Sequence, residues 1–143
     1  MTPTNVFIID NHIRWLVDVS KNIRENTKLK CVPLTSCKDI IKKVQRYRPA
    51  VIVLSTNMPD FLETLQSLRK SEETSDIPVI AVSELANEMD RANAYTYGCI
   101  DYLVKPKDFA ELIDKLQDYG CLGLIDMRLK RIMKIYEDQE AEL

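Results

Sequence analysis

Short, unbroken apolar runs alternate along the chain with longer segments whose apolar residues recur at helical spacing. The runs are VFII at 6–9, AVIVL at 50–54, PVIAV at 78–82 and YLV at 102–104, each stopping at a polar residue. Runs this short, with no polar face, predict strands of a parallel sheet covered on both sides. LKCVPLT at 29–35 predicts a further strand. Pro33 has no N–H to give to a ladder, so that strand belongs at a sheet edge. Helical spacing joins Ile13, Leu16, Val17 and Ile23, then Ile40, Ile41, Val44 and Tyr47. It joins Phe61, Leu65 and Leu68, and later Phe109, Leu112, Ile113 and Leu116. Leu85, Met89 and Ala92 predict a weaker helix ending at Gly98, a residue suited to the position after a helix C-cap. Alternation of this kind predicts an α/β architecture, a doubly wound parallel sheet.

Beyond the fifth helix, Leu122, Ile125, Leu129, Ile132 and Tyr136 recur in steps of three and four. That a/d seam predicts an additional C-terminal helix, set off by a break at Gly120 and Gly123. The expected division is a domain over 1–120 and a helical extension over 121–143.

Composition narrows the function classes. A chain of 143 residues can bury one real core, and 45% hydrophobic with 29% charged residues is the profile of a globular protein. A net charge of −2 gives no electrostatic footprint for nucleic acid or a membrane surface, and neither is expected as a partner. No run approaches a membrane span or a signal h-region, so a cytoplasmic location is expected. Cys31, Cys37, Cys99 and Cys121 are scattered without a C-x-x-C pair, and His12 is the only histidine. Buried free thiols are predicted rather than a zinc or redox centre. The glycines, Gly98, Gly120 and Gly123, leave no phosphate-cradling loop of the dinucleotide or Walker kind.

In an open α/β sheet, ligands sit beyond the carboxyl ends of the strands. Those ends carry Asp10 and Asn11, Ser55 to Asn57, Ser83 with Glu84, and Lys105. The same stretches, FIIDNH, VLSTNMP, PVIAVS and DYLVKP in that order, resemble the receiver domains of two-component response regulators, as in chemotaxis regulators. The resemblance covers residues 5 to about 119 and implies a flavodoxin-like, five-stranded sheet of order 2-1-3-4-5. It also implies an acidic pair binding Mg²⁺ after the first strand and a phosphoryl-accepting Asp ending the third. A hydroxyl residue ending the fourth strand and a Lys before Pro ending the fifth complete the set.

On this chain those positions hold Asp10 and Asn11, Ser55, Ser83 and Lys105, with Tyr102 at the family's switch aromatic. Two of the three expected carboxylates are absent. The stretch after Met58-Pro59 also departs from the family, being shorter and without its usual glycine. An acceptor Asp attacks phosphorus because it is ionised, and Mg²⁺ prefers carboxylate oxygens. Ser55 is a neutral hydroxyl that needs a base, and Asn11 offers a carbonyl without charge. No metal cofactor is therefore expected, at most weak Mg²⁺ at Asp10, and no enzymatic activity. A degenerate pocket of Asp10, Asn11, Ser55, Asn57, Ser83 and Lys105 is predicted in a pseudo-receiver. Lys105 is expected to turn to Asp10, the alternative being a loose, solvated Lys. Ser55 is expected to satisfy strand-end backbone groups or to bond Lys105.

Tyr102 is expected to pack under the fourth helix with its hydroxyl in water, Trp15 to pack on the first helix, and His12 to cap or be solvated. The expected function is phosphorylation-independent signalling by contact with another protein. The alternative is a phosphorelay using Asp60 or Ser55 as a non-standard acceptor. A homodimer would form through the fourth helix, fifth strand and fifth helix, where Tyr95, Tyr97, Tyr102 and Asp101 lie, or through the C-terminal helix.

Overall fold

Every residue of Val6, Phe7, Ile8 and Ile9 is fully buried, as are those of the run from Val51 to Ser55. A strand sends successive side chains to opposite faces, so burial of all of them requires cover on both sides. The computed structural model supplies that cover. It describes residues 4–105, 109–120 and 135–137. Strands β1 (Asn5–Ile9), β2 (Lys30–Leu34), β3 (Val51–Ser55), β4 (Val79–Ser83) and β5 (Asp101–Val104) form one parallel sheet of order β2-β1-β3-β4-β5. Helices α1 (Ile13–Asn26), α2 (Ile40–Tyr47), α3 (Phe61–Lys70) and α4 (Glu88–Thr96) connect them, and α5 covers 109–120.

The two faces sort by strand parity. Phe7, Ile9, Ile52, Leu54 and Ala81 meet α2, α3 and α4, whereas Val6, Ile8, Val51, Val53 and Val82 meet α1 and α5. β2 is an edge strand. Its Lys30 N–H reaches Thr4 O at 2.8 Å and its Leu34 carbonyl accepts from Asp10 N–H at 3.0 Å.

Several expected faces differ from those observed. In α1 the buried stripe is Trp15, Leu16, Val19, Ser20 and Ile23, while Ile13 and Val17 are 55% and 59% exposed. The weaker helix is real, but Leu85 precedes it and is 71% exposed, Met89 is 74% exposed, and Ala92 is also exposed. Asn87 sets its start, since the side-chain oxygen accepts from the N–H groups of Met89 and Asp90. Ala94 then becomes the residue α4 buries. Gly98 stands after the α4 C-cap at φ +103°, a conformation that only glycine adopts without strain. A Cβ there would also lie 2.8 Å from Arg69 Nε. Gly120 is the last described residue of α5, and Gly123, with the expected break before the C-terminal helix, lies outside the described residues. The C-terminal seam lies outside the described residues apart from Tyr136, which is helical and exposed.

Cys31, Cys37 and Cys99 are free thiols. Burial pushes all of them above the ordinary 9.0, Cys99 to about 12. Thiolate is the reactive form, so at neutral pH Cys99 should alkylate about a thousandfold more slowly than an unstructured cysteine. Peptide mapping after iodoacetamide treatment should find Cys99 unmodified until denaturant is added; rapid native labelling would contradict this burial.

Candidate functional site at the strand tips

β1, β3, β4 and β5 end side by side, which brings Asp10, Ser55, Ser83 and Lys105 together. All four are buried, Asp10 and Ser55 fully. The ammonium of Lys105 hydrogen-bonds Asp10 Oδ2 in a buried ion pair. It also donates to Ser55 Oγ at 3.4 Å and lies 4.5 Å from the centroid of the Trp15 ring. The other oxygen of Asp10 accepts the His12 N–H at 3.0 Å. Ser55 Oγ accepts the Asn57 N–H at 3.2 Å. One lysine is therefore held by a carboxylate, a hydroxyl and an aromatic face, which supply what water would have supplied.

Across the mouth of this cluster, Asn11 donates its amide to the Asn57 carbonyl at 3.5 Å, and His12 Nδ1 lies 3.3 Å from Glu84 Oε1. His12 is the N-cap residue of α1 by position, without a side-chain capping bond, and its side chain is exposed, in line with the capping or solvated histidine expected from the sequence. Among the described residues, Ser55 Oγ meets the Asn57 N–H and the Lys105 ammonium and no side-chain base, Asp10 being committed to Lys105. Asp60, the alternative acceptor, stands at the N-cap of α3 with its carboxyl beside Cys37.

Tyr102 differs from expectation. Its ring is buried and its hydroxyl donates to the Leu85 carbonyl at 3.0 Å, with Arg91 5.5 Å above the ring. The Leu85 N–H in turn donates to Ser83 Oγ at 3.4 Å. The β4–α4 loop bends over β5 and offers a carbonyl that a buried phenol needs. Asp101 points away to α5, where Lys115 lies at 3.2 Å and the Tyr119 hydroxyl donates at 3.3 Å. That carboxylate holds the Lys115 ammonium above its ordinary pKa, chiefly through the hydrogen bond. Tyr95 and Tyr97 are exposed on α4 and just after it.

Sequence reasoning missed Trp15 as a member of the cluster. A helical side chain covers the turn N-terminal to its own Cα, so a Trp in the first turn of α1 reaches back to the strand tips. That offset was the available signal.

Mg²⁺ takes about six oxygen ligands in a strict geometry, carboxylates among them. These strand tips offer the Asp10 carboxylate, with both oxygens engaged, the Glu84 carboxylate beside His12 at the mouth, and an asparagine whose amide is turned to Asn57. Among the described residues, no group of three His, Cys, Asp or Glu side chains is placed to share a metal. The donor set does not suit the ion.

A family model described as the response regulator receiver domain matches residues 6–117. The chain belongs to that family. As a receiver domain of response regulators it is part of two-component signalling. The receiver is 35% identical over 90 residues to an uncharacterised 14.6 kDa protein from the sodA1 3′ region of Leptolyngbya boryana, covering 62% of this chain and 68% of that one. It is 33% identical over 72 residues to RpaA of Synechocystis, a DNA-binding dual master transcriptional regulator, covering 49% of this chain but 30% of RpaA. NtrC of Proteus hauseri is 29% identical over 117 residues, 79% of this chain and 24% of that regulator. The receiver thus spans a third or less of these two regulators.

Solved structures show the same fold. CheY4 of Vibrio cholerae superposes with a TM-score of 0.71 at 21% identity, covering 82% of this chain and 99% of that one. The receiver domain of the histidine kinase PA1611 of Pseudomonas aeruginosa gives 0.72 at 22% identity, covering 82% and 98%, and was solved with magnesium in its active site cleft. No described helix of this receiver is long and apolar enough to cross a membrane.

Proposed function

We propose that this receiver signals without phosphorylation, as a pseudo-receiver that works by contact with another protein. The observation that carries the reading is the buried Lys105–Asp10 pair beside Ser55 at the strand tip where the family places its acceptor. The lysine that would otherwise neutralise a phosphoryl group is already neutralised by Asp10. Ser55 lacks a base, Asn11 adds no charge, and Asp60 stands beside Cys37 instead of Lys105. Mg²⁺, bound in the PA1611 receiver, is not needed here.

The partner is another signalling or output protein. The DNA binding named for RpaA is not carried over, since the shared segment is 30% of that chain. Incubation with acetyl phosphate and Mg²⁺, followed by intact-mass measurement, should give no phosphoryl adduct under conditions that label an ordinary receiver. An adduct mapped to Ser55 or Asp60 would overturn the reading.

A further inference from the structure

The outer side of α2 is cationic in a chain that is otherwise acidic. Residues 38–48, KDIIKKVQRYR, hold Lys38, Lys42, Lys43, Arg46 and Arg48 against Asp39. Their net charge is +4 in a chain of net −2, which leaves −6 for the rest. α2 buries Ile40 and Val44, so Lys42 and Arg46, one turn apart, stand exposed on its opposite side, with Lys38 and Arg48 exposed beyond its two ends. Lys30 of β2 adds to the patch. It is exposed, shares strand parity with Val32 and Leu34, which pack on the α2 side, and pairs with Asn5, whose amide donates to the Tyr47 carbonyl at 2.6 Å. None of these cations makes an ion pair among the described residues, and Glu73, which touches α2, accepts from the neutral Gln45. The helix is also held at both ends. Asp39 at φ 55° and Arg48 at φ 46° are left-handed without being glycine, the Lys43 N–H donates to the Asp39 carbonyl at 3.0 Å, and the Arg48 N–H donates to the Val44 carbonyl at 2.7 Å. Such residues cost free energy and persist where their surroundings fix them.

We infer that the α2 face, with Lys30, Lys42, Arg46 and Arg48, docks a carboxylate-rich helix of a partner protein. Carboxylates would take up ammonium and guanidinium groups that have no acidic partner in the free receiver. Acids at every fourth residue of a helix repeat about every 6 Å, the spacing of Lys42 and Arg46. Size and charge decide against an extended polyanion. α2 is about 12 Å long, and the screening length in physiological salt is about 8 Å. A nucleic-acid duplex or an anionic membrane surface reaches past α2 and meets the remainder of the chain, which carries −6. A single acidic helix meets the cations alone. Docking of this kind rests on the proposal that the receiver works through another protein, and it supplies that partner's chemistry. A phosphoryl adduct on Ser55 would defeat the proposal without touching α2, so the two fail separately.

Fluorescence anisotropy tests it on the full chain, with a fluorescein-labelled, alanine-based peptide of about 15 residues carrying Glu at every fourth position. The unaltered protein should bind the peptide saturably, and more weakly as salt is raised. Lys42→Glu/Arg46→Glu should raise the Kd about tenfold or more. Lys21→Glu/Arg24→Glu makes the same change in net charge on exposed residues of α1 and should leave the Kd within about twofold. Arg48→Gly should weaken binding while raising the urea midpoint, because glycine relieves the left-handed position. Weaker binding by a firmer fold cannot come from misfolding. Absence of saturable binding, or equal losses in the α1 and α2 variants, would overturn the inference. So would tighter binding to a DNA duplex or to phosphatidylserine vesicles that Lys42→Glu/Arg46→Glu abolishes, which would assign the face to another class of polyanion.

Discussion

Asp10→Ala should lower the unfolding free energy by about 3–5 kcal/mol, the usual cost of stranding one member of a buried ion pair. Asp10 is fully buried and Lys105 nearly so, and the remaining contacts of the ammonium would be Ser55 Oγ and the Trp15 face. Neither carries a charge. Lys105→Met should cost a comparable amount, since it leaves the Asp10 carboxylate with the His12 N–H as its hydrogen-bond donor. Asp10→Leu combined with Lys105→Met should be less harmful than the sum of the single losses, because no charge is then left unpaired. Urea unfolding followed by circular dichroism reads all of these. A loss below about 1 kcal/mol for Asp10→Ala would mean that Lys105 swings out to water and that the pair behaves as a surface one.

Asn11→Asp combined with Ser55→Asp should give a receiver whose stability depends on Mg²⁺. The double variant gathers three carboxylates around one ammonium, and like charges at short range disfavour the folded state until a cation joins them. Without metal the variant should melt below the parent. With metal at a hundred times its dissociation constant it should regain about 2.7 kcal/mol. Trp15 reports the same event, since its ring lies against the Lys105 ammonium, which must move when new carboxylates and a cation compete for it. A saturable fluorescence change in the variant and a flat trace in the parent are expected. Equal responses in both would show that Asp10 alone suffices for the metal.

The strands were legible because each is a short apolar run, and burial on both faces leaves few other arrangements for Val6–Ile9 or Val51–Leu54. α4 was legible as a helix but not in its orientation. Apolar residues at Leu85 and Met89 mimic a buried face, while the decisive residue was the polar Asn87, whose two capping bonds fix where the helix starts. The Lys105–Asp10 contact could be anticipated from charge alone, since removing a carboxylate from Ser55's position leaves one acidic neighbour for the lysine. Tyr102 could not be read the same way. Its hydroxyl partner is a backbone carbonyl, and the sequence does not record where a loop turns its carbonyls. Trp15 needed only the direction in which helical side chains point.

Pro33 has a consequence at the outer edge of β2. Lys30 and Leu34 turn their backbone groups inward to the chain preceding and following β1, so by alternation Cys31 and Pro33 turn theirs outward. The exposed rim of the sheet therefore lacks a donor at one of its two outward positions. A strand from another molecule, or an amyloid-like stack, would find the ladder interrupted at its second rung. Replacing Pro33 would restore that rung, so the residue protects the protein from edge-to-edge growth while leaving its pairing with β1 intact.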